Sequence, residues 1–217
     1  MGGRPAAGGG RWVEVDPERL TRWLDGFAER HGSIAVDAQP DRLLVAAFDG
    51  AVAELHPPPG APPGRDIAEF VAAATRERVL GLLLARRGGA AVALAEGPRL
   101  VRSKVESAYV QGRTAAGGWS QQRFARRRAN QARAAAAGVA DVAARLLLPE
   151  ANRLAVLVAG GDRRTVEAVL ADRRLAPLAA KLADRFLSVP EPRQATLPDA
   201  LRQARAVRIR VLDPPPQ

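Results

Sequence analysis

The sequence predicts an α/β protein, a mixed β-sheet flanked by helices with a smaller α+β segment ahead of it. Three observations lead there. Apolar runs short enough to be strands alternate with helical periodicity along the second half of the chain. A tract with five prolines between Pro57 and Pro63 interrupts the chain before that rhythm begins. The 217 residues are 47% hydrophobic, enough for a sizeable core, but only 4% aromatic, so that core is built from Ala, Val and Leu.

Residues 1–10 hold four glycines in the first nine positions and read as a disordered tail. Residues 11–56 read as a helix plus a β-meander. Trp12 to Val15 is extended, and Asp16-Pro17-Glu18 is a helix start with Pro at N1. Leu20, Trp23, Leu24 and Phe27 then recur at helical spacing until His31-Gly32. Three strands are expected over 33–37, 42–48 and 51–56, the last two joined by the hairpin signal Asp49-Gly50. Residues 57–65 are the expected linker, and 66–213 the main domain.

In that domain Asp66 caps a helix to Thr75, and strands over 79–85 and 90–95 flank an Arg86-Arg87-Gly88-Gly89 turn. Leu100 to Val110 alternates. A loop over 111–119 precedes a long helix from Ser120 to about Leu148, with Phe124, Ala132, Ala135, Val139, Val142 and Leu146 as its apolar stripe. Strand, helix, strand, helix, strand complete the chain, with Asp162 as N-cap after Gly160-Gly161 and a closing strand over 207–212.

Composition narrows the chemistry. With no Cys, the chain has no disulfide, thiolate metal site or Cys nucleophile, and His31 and His56 are too few for a three-His zinc centre. No apolar run approaches the roughly 18–20 residues of a membrane span, and Met1 to Gly10 lacks the apolar stretch of a secretion signal. A cytoplasmic protein without membrane association is expected. The net charge is +10, and 31 of the 33 cationic side chains are Arg. That surplus calls for an anionic partner, most simply nucleic acid.

The charge is concentrated. Residues 99–133 hold nine cations against the single carboxylate of Glu106, a net +8, and no acid lies between Ser107 and Ala140. A solvated helix face mixes signs at i, i+4; an unrelieved run of Arg113, Arg123, Arg126, Arg127, Arg128 and Arg133 suits a phosphate backbone. Between Arg113 and the other five arginines, Gly117-Gly118 reads as a hinge that can carry Trp119, Ser120, Gln121 or Gln122 to a target. None is a strong base. A glutamine amide can still position water and donate to a developing oxyanion, which suits hydrolysis of an activated ester. Gly160-Gly161-Asp162 is only half a nucleotide fingerprint, and a metal cluster of Asp141, Asp162 and Asp184 draws on scattered elements.

The segment GGWSQQRFARRRANQ resembles the catalytic loop and following helix in the middle domain of the eukaryotic and archaeal class I peptide-release factor. That domain has a Gly-Gly-Gln loop followed by an Arg-Phe-x-Arg-x-Arg helix, matched here by Gly117-Gly118 and Arg123-Phe124-Ala125-Arg126-Arg127-Arg128. LAVLVAGGD, ending at Asp162, and Leu182 to Leu187 resemble its later segments, so the likeness covers roughly residues 77–205. One position departs: Trp119 stands where the release factor has Gln, and Gln121 and Gln122 follow two and three residues later. That shift is similar to the VLRF family, the Vms-like release-factor relatives of ribosome-associated quality control, and most of all its actinobacterial branch.

The resemblance implies a middle-domain-like, ribonuclease-H-like sheet and a peptidyl-tRNA hydrolase acting on the ribosome or large ribosomal subunit. Gly117 and Gly118 would bring the loop to the tRNA end. Gln121, as in relatives with Gly-Gly-Ser-Gln loops, or Gln122 would orient water. Trp119, Ser120, Arg113, Arg123, Arg126, Arg127, Arg128 and Arg133 would contact RNA. No metal or organic cofactor is implied. The alternative is a ribosome- or tRNA-binding factor of the same fold without hydrolytic activity.

Overall fold

A computed structural model describes residues 4–107 and 120–214, with backbone alone at 107 and over 120–129. The chain divides into two units, Met1–Glu77 with Arg202–Gln217, and Arg78–Leu201, the second division running through a helix.

The first unit is built on β1 (Arg4–Pro5), β2 (Arg11–Val15), β3 (Ile34–Ala38), β4 (Leu43–Ala47), β5 (Val52–His56) and β11 (Val207–Leu212). They form one antiparallel sheet in the order β1-β2-β11-β5-β4-β3. Helices α1 (Leu20–His31) and α2 (Ile67–Thr75) supply Leu20, Leu24, Phe27, Phe70 and Ala74 to its core, which they share with Val15, Leu43, Val45, Leu55, Val207, Ile209 and Val211. Asp66 caps α2 by accepting from Glu69 N at 2.8 Å, as its position in the sequence indicates. Asp16 makes no side-chain cap; Pro17 opens a short 3-10 turn over Pro17–Arg19 that leads into α1.

Three expectations change. Residues 4–10 are not a tail: β1 pairs with β2, and Gly8, Gly9 and Gly10 take φ of 79°, 92° and 76° in the connecting turn, a conformation open chiefly to glycine. Arg210 Nη2 fixes the turn by donating to Gly8 O at 2.7 Å. The Pro-rich tract does not end the first unit, because α2 beyond it packs into the first core. The closing strand does not complete the second sheet; β11 lies between β2 and β5, antiparallel to both. Its sequence VRIRVL alternates buried and half-buried, as a strand with one face on the core must.

The second unit holds β6 (Val79–Arg86), β7 (Gly89–Glu96), β8 (Arg99–Ser107), β9 (Leu154–Gly161) and β10 (Leu182–Leu187) in the order β10-β9-β6-β7-β8. β10, β9 and β6 are parallel; β6, β7 and β8 are antiparallel. This is the mixed sheet the sequence predicts. Leu83, Val92, Leu94 and Leu157 pack beneath α3 (Ser120–Leu147), α4 (Arg163–Leu170) and α5 (Ala176–Ala179). The last helix is α6 (Leu197–Arg205).

Candidate nucleic-acid interface

The register Gly89↔Ser107 places the end of β8 beside the β6–β7 turn. From that end of the sheet the chain continues through 108–119 into α3. The helix has 28 residues and so runs about 42 Å, whereas an eight-residue strand such as β6 covers only about 26 Å. The burial pattern shows where the excess lies. Ala136, Val139, Ala140, Val142, Ala143 and Leu147 are buried, while every residue from Asn130 to Ala135 is exposed.

Among the residues whose burial is described, the packed part of α3 therefore begins at Ala136, and residues 130–135 ahead of it form an exposed arm. The apolar stripe expected along the whole helix is corrected accordingly: Val139 and Val142 are buried and Leu146 half-buried, but Ala132 and Ala135 face solvent. Their spacing is helical, yet no layer of the sheet reaches them.

The N-terminal half of α3 carries most of the sequence-predicted site. Ser120, Gln121 and Gln122 form the first turn of α3, and Arg123, Arg126, Arg127 and Arg128 follow within its next two turns. Arg113, Gly117, Gly118 and Trp119 lie outside the described residues, as do the side chains of residues 120–129. Arg133 is exposed and donates to Asn130 Oδ1 at 2.6 Å, with no carboxylate partner among the described residues. First-turn N–H groups have no partner within their helix, so Gln121 and Gln122 sit where backbone donors are available to an anion or a polarised carbonyl.

Not every cation of the 99–133 run is available. Arg102 reaches Glu150 at 2.6 Å, and Lys104 lies 3.9 Å from Glu106. Glu150 is also bound by Arg153 at 2.9 Å, which bridges to Glu96 at 3.0 Å. The contacts of Arg102, Glu150, Arg153 and Glu96 sit at the far end of the sheet, where β7 ends and β8 and β9 begin, whereas Lys104 and Glu106 lie on β8 nearer the Gly89↔Ser107 end. The positive charge of the run is thus partly neutralised on the sheet, while Arg133 on α3 has no carboxylate partner among the described residues.

The competing sites dissolve on inspection of their partners. Asp162 accepts from Thr165 N at 2.9 Å and from its Oγ1 at 2.7 Å, which holds its carboxyl below the ordinary range and makes it the N-cap of α4. A Cβ on Gly160 would stand 2.8 Å from Leu187 Cβ, so the first glycine makes room for β10 and leaves none for a phosphate. Asp141 pairs with Arg174 at 2.7 Å. Among the described residues no three of His, Cys, Asp and Glu are grouped to hold a metal, and no helix is long and apolar enough to cross a membrane. His31 closes α1 as expected and adds a contact the sequence does not reveal, from Nδ1 to Asp49 Oδ2 at 2.8 Å. His56 lies on β5 with its ring 5.3 Å from that of Trp12, and burial lowers its pKa.

A mixed sheet covered by helices, the longest of which begins with an arginine-rich sequence, defines an α/β domain. Residues 78–210 match the Actinobacteria/chloroflexi VLRF1 release factor family, and the chain belongs to that family. Similar solved structures include an archaeal translation termination factor, aRF1, at a TM-score of 0.44 and 15% identity over 89% of this chain and 63% of that one. A structure described as an archaeal protein has a TM-score of 0.40 and 18% identity over 71% of this chain and 48% of that one. The chain spans less than two thirds of the length of either. No curated protein matches it.

Proposed function

We propose that this protein is a peptidyl-tRNA hydrolase of release-factor type that frees stalled nascent chains from ribosomes or large subunits in the cytoplasm. The second unit is read as the counterpart of a release factor's middle domain. The observation that carries the proposal is the exposed stretch 130–135 of α3, which continues the same helix that begins with Gln121, Gln122 and the arginine run, in a chain belonging to a release-factor family. An arm lets a site enter a recess that the folded body cannot.

Arg113, Arg123, Arg126, Arg127, Arg128 and Arg133 contact ribosomal RNA or the tRNA backbone, where the charge that costs stability in isolation is neutralised. Gly117 and Gly118 allow close approach to the tRNA 3′ end, and Trp119 stacks on a terminal base with Ser120 beside it. Gln121, or Gln122, orients the attacking water. Its oxygen adds to the peptidyl carbonyl, the ester bond breaks, and the tRNA 3′-oxygen leaves with a proton. The protein supplies geometry and the partner most of the field, so no metal or organic cofactor enters.

The test is release of a labelled nascent peptide from stalled bacterial large subunits by wild type, Gln121→Ala and Gln122→Ala, each with a matched subunit-binding assay. One variant is expected to lose release at least about 100-fold with binding retained. Wild-type binding without release would overturn the hydrolase reading and leave a non-catalytic ribosome-binding factor.

A further inference from the structure

The end of the sheet from which the α3 arm departs carries a second group of cations that the arginine run does not include. Arg86 and Arg87 stand at the β6–β7 turn, Arg163 and Arg164 in the first turn of α4, and all four are exposed. The two segments converge. Asp162 N donates to Ala85 O at 2.8 Å, and a Cβ on Gly161 would lie 3.0 Å from Arg86 Cγ, so the glycine lets the Arg86 stem cross the strand end. Both Arg87 and Arg164 help to depress the carboxyl of Asp162. Arg163 lies over the ring of Phe186, its Cζ 4.3 Å from the ring centroid.

None of the four has a carboxylate within 4.0 Å among the described residues. The acids nearby form no ion pair with them, and Asp162 acts on Arg87 and Arg164 only through the field. Asp162 is committed to capping α4, Glu191 lies against Gly88, and Glu167 makes no ion pair one turn along α4. At the far end of the same sheet Glu150 alone holds both Arg102 and Arg153. Guanidiniums left unpaired on two converging segments, at the root of an arm already rich in Arg, match a phosphate backbone passing that root.

We propose that Arg86, Arg87, Arg163 and Arg164 form a second RNA-backbone contact surface at the base of the α3 arm. The inference rests on the reading of the protein as ribosome-directed and names a surface which that reading leaves unassigned. The shared chemistry is the phosphodiester, and its source is either ribosomal RNA or the tRNA itself.

Two double variants test it, Arg86→Gln with Arg87→Gln and Arg163→Gln with Arg164→Gln. A third, Arg102→Gln with Arg153→Gln, removes the same charge at the far end. Each is titrated against vacant bacterial large subunits and against deacylated tRNA at several salt concentrations, with thermal midpoints as the folding control. Each rim variant is expected to bind about 5- to 10-fold more weakly, with a salt slope reduced by roughly 1.5, while the far-end variant stays within about twofold of wild type. The probe that loses affinity identifies the source of the phosphates. The matching Arg→Lys variants should bind close to wild type. Rim variants that bind both probes like wild type, or a far-end variant that loses as much, would overturn the proposal. Wild-type release is scored separately: loss of binding at the rim in a protein that releases no peptide would overturn the hydrolase reading and leave the surface standing. A wild type that binds neither probe would overturn both.

Discussion

Arg11 Nη1 donates to Asp213 Oδ1 at 2.7 Å, joining the second strand of the chain to the end of its last. Both side chains are well exposed, so the pair itself contributes little. What holds the ends together is the strand pairing behind it, with Val207, Ile209 and Val211 buried in the first core. Ile209→Ala is expected to cost about 2–5 kcal/mol in urea unfolding, and Asp213→Ala under about 1 kcal/mol. Equal effects would mean that the ion pair, not the strand, closes the unit.

The glycines separate by their surroundings. Gly138 lies in α3 with nothing within 4 Å of a built Cβ, so Gly138→Ala should stabilise the protein by roughly 0.5–1 kcal/mol through helix propensity alone. Gly160→Ala meets Leu187 Cβ at 2.8 Å and Leu187 O at 2.9 Å, contacts too short for any real Cβ, and should destabilise by about 1–3 kcal/mol. Thermal denaturation of the two variants checks the opposite signs.

His56 gives the first unit a pH response. Burial lowers its pKa, with Arg42 and Arg208 acting in the same direction against Glu54 and Asp41. The unfolded chain takes up the proton near the ordinary value of about 6.5, whereas the folded chain resists it. Stability is therefore fully present above that value and falls as pH drops below it, until the folded histidine also protonates. His56→Phe should flatten the dependence of the unfolding midpoint between about pH 7 and pH 5, and an NMR titration of the ring should place the folded pKa below that of a model peptide.

Much of this architecture is legible locally. Asp66 and Asp162 announce their helices within four residues, and the Arg86-Arg87-Gly88-Gly89 turn closes a hairpin whose partners are adjacent in sequence. The misreadings involve distance. β11 pairs with strands more than 150 residues earlier, and its alternation says only that one face is buried, not in which sheet. The glycines of residues 8–10 look like a tail until Arg210 arrives from the far end of the chain to fix their carbonyls. The candidate site is legible as a pattern for a different reason. Its charge run and paired glutamines are contiguous, but the point at which α3 leaves the sheet depends on strand length, which the helix sequence does not encode.

That point, at Ala136, divides the packed half of α3 from the exposed residues ahead of it. Residues 130–135 are all exposed, so their helix contributes little to the thermal midpoint, whereas Ala136, Val139, Ala140, Val142, Ala143 and Leu147 are part of the core. Ala132→Pro removes an intrahelical hydrogen bond and clashes with the carbonyl four residues back, a cost near 3 kcal/mol in a helix interior. Here the cost falls on the arm alone, and the midpoint should move by no more than about 2 °C. If the arm delivers Gln121 and Gln122 as proposed, peptide release should nevertheless fall by two orders of magnitude or more, since a misdirected site forfeits the alignment on which its rate depends. Ala140→Pro, placed in the packed half, should instead unfold the second unit. A variant with proline at position 132 that releases peptide at the wild-type rate would show that the arm's straightness is not what places the glutamines.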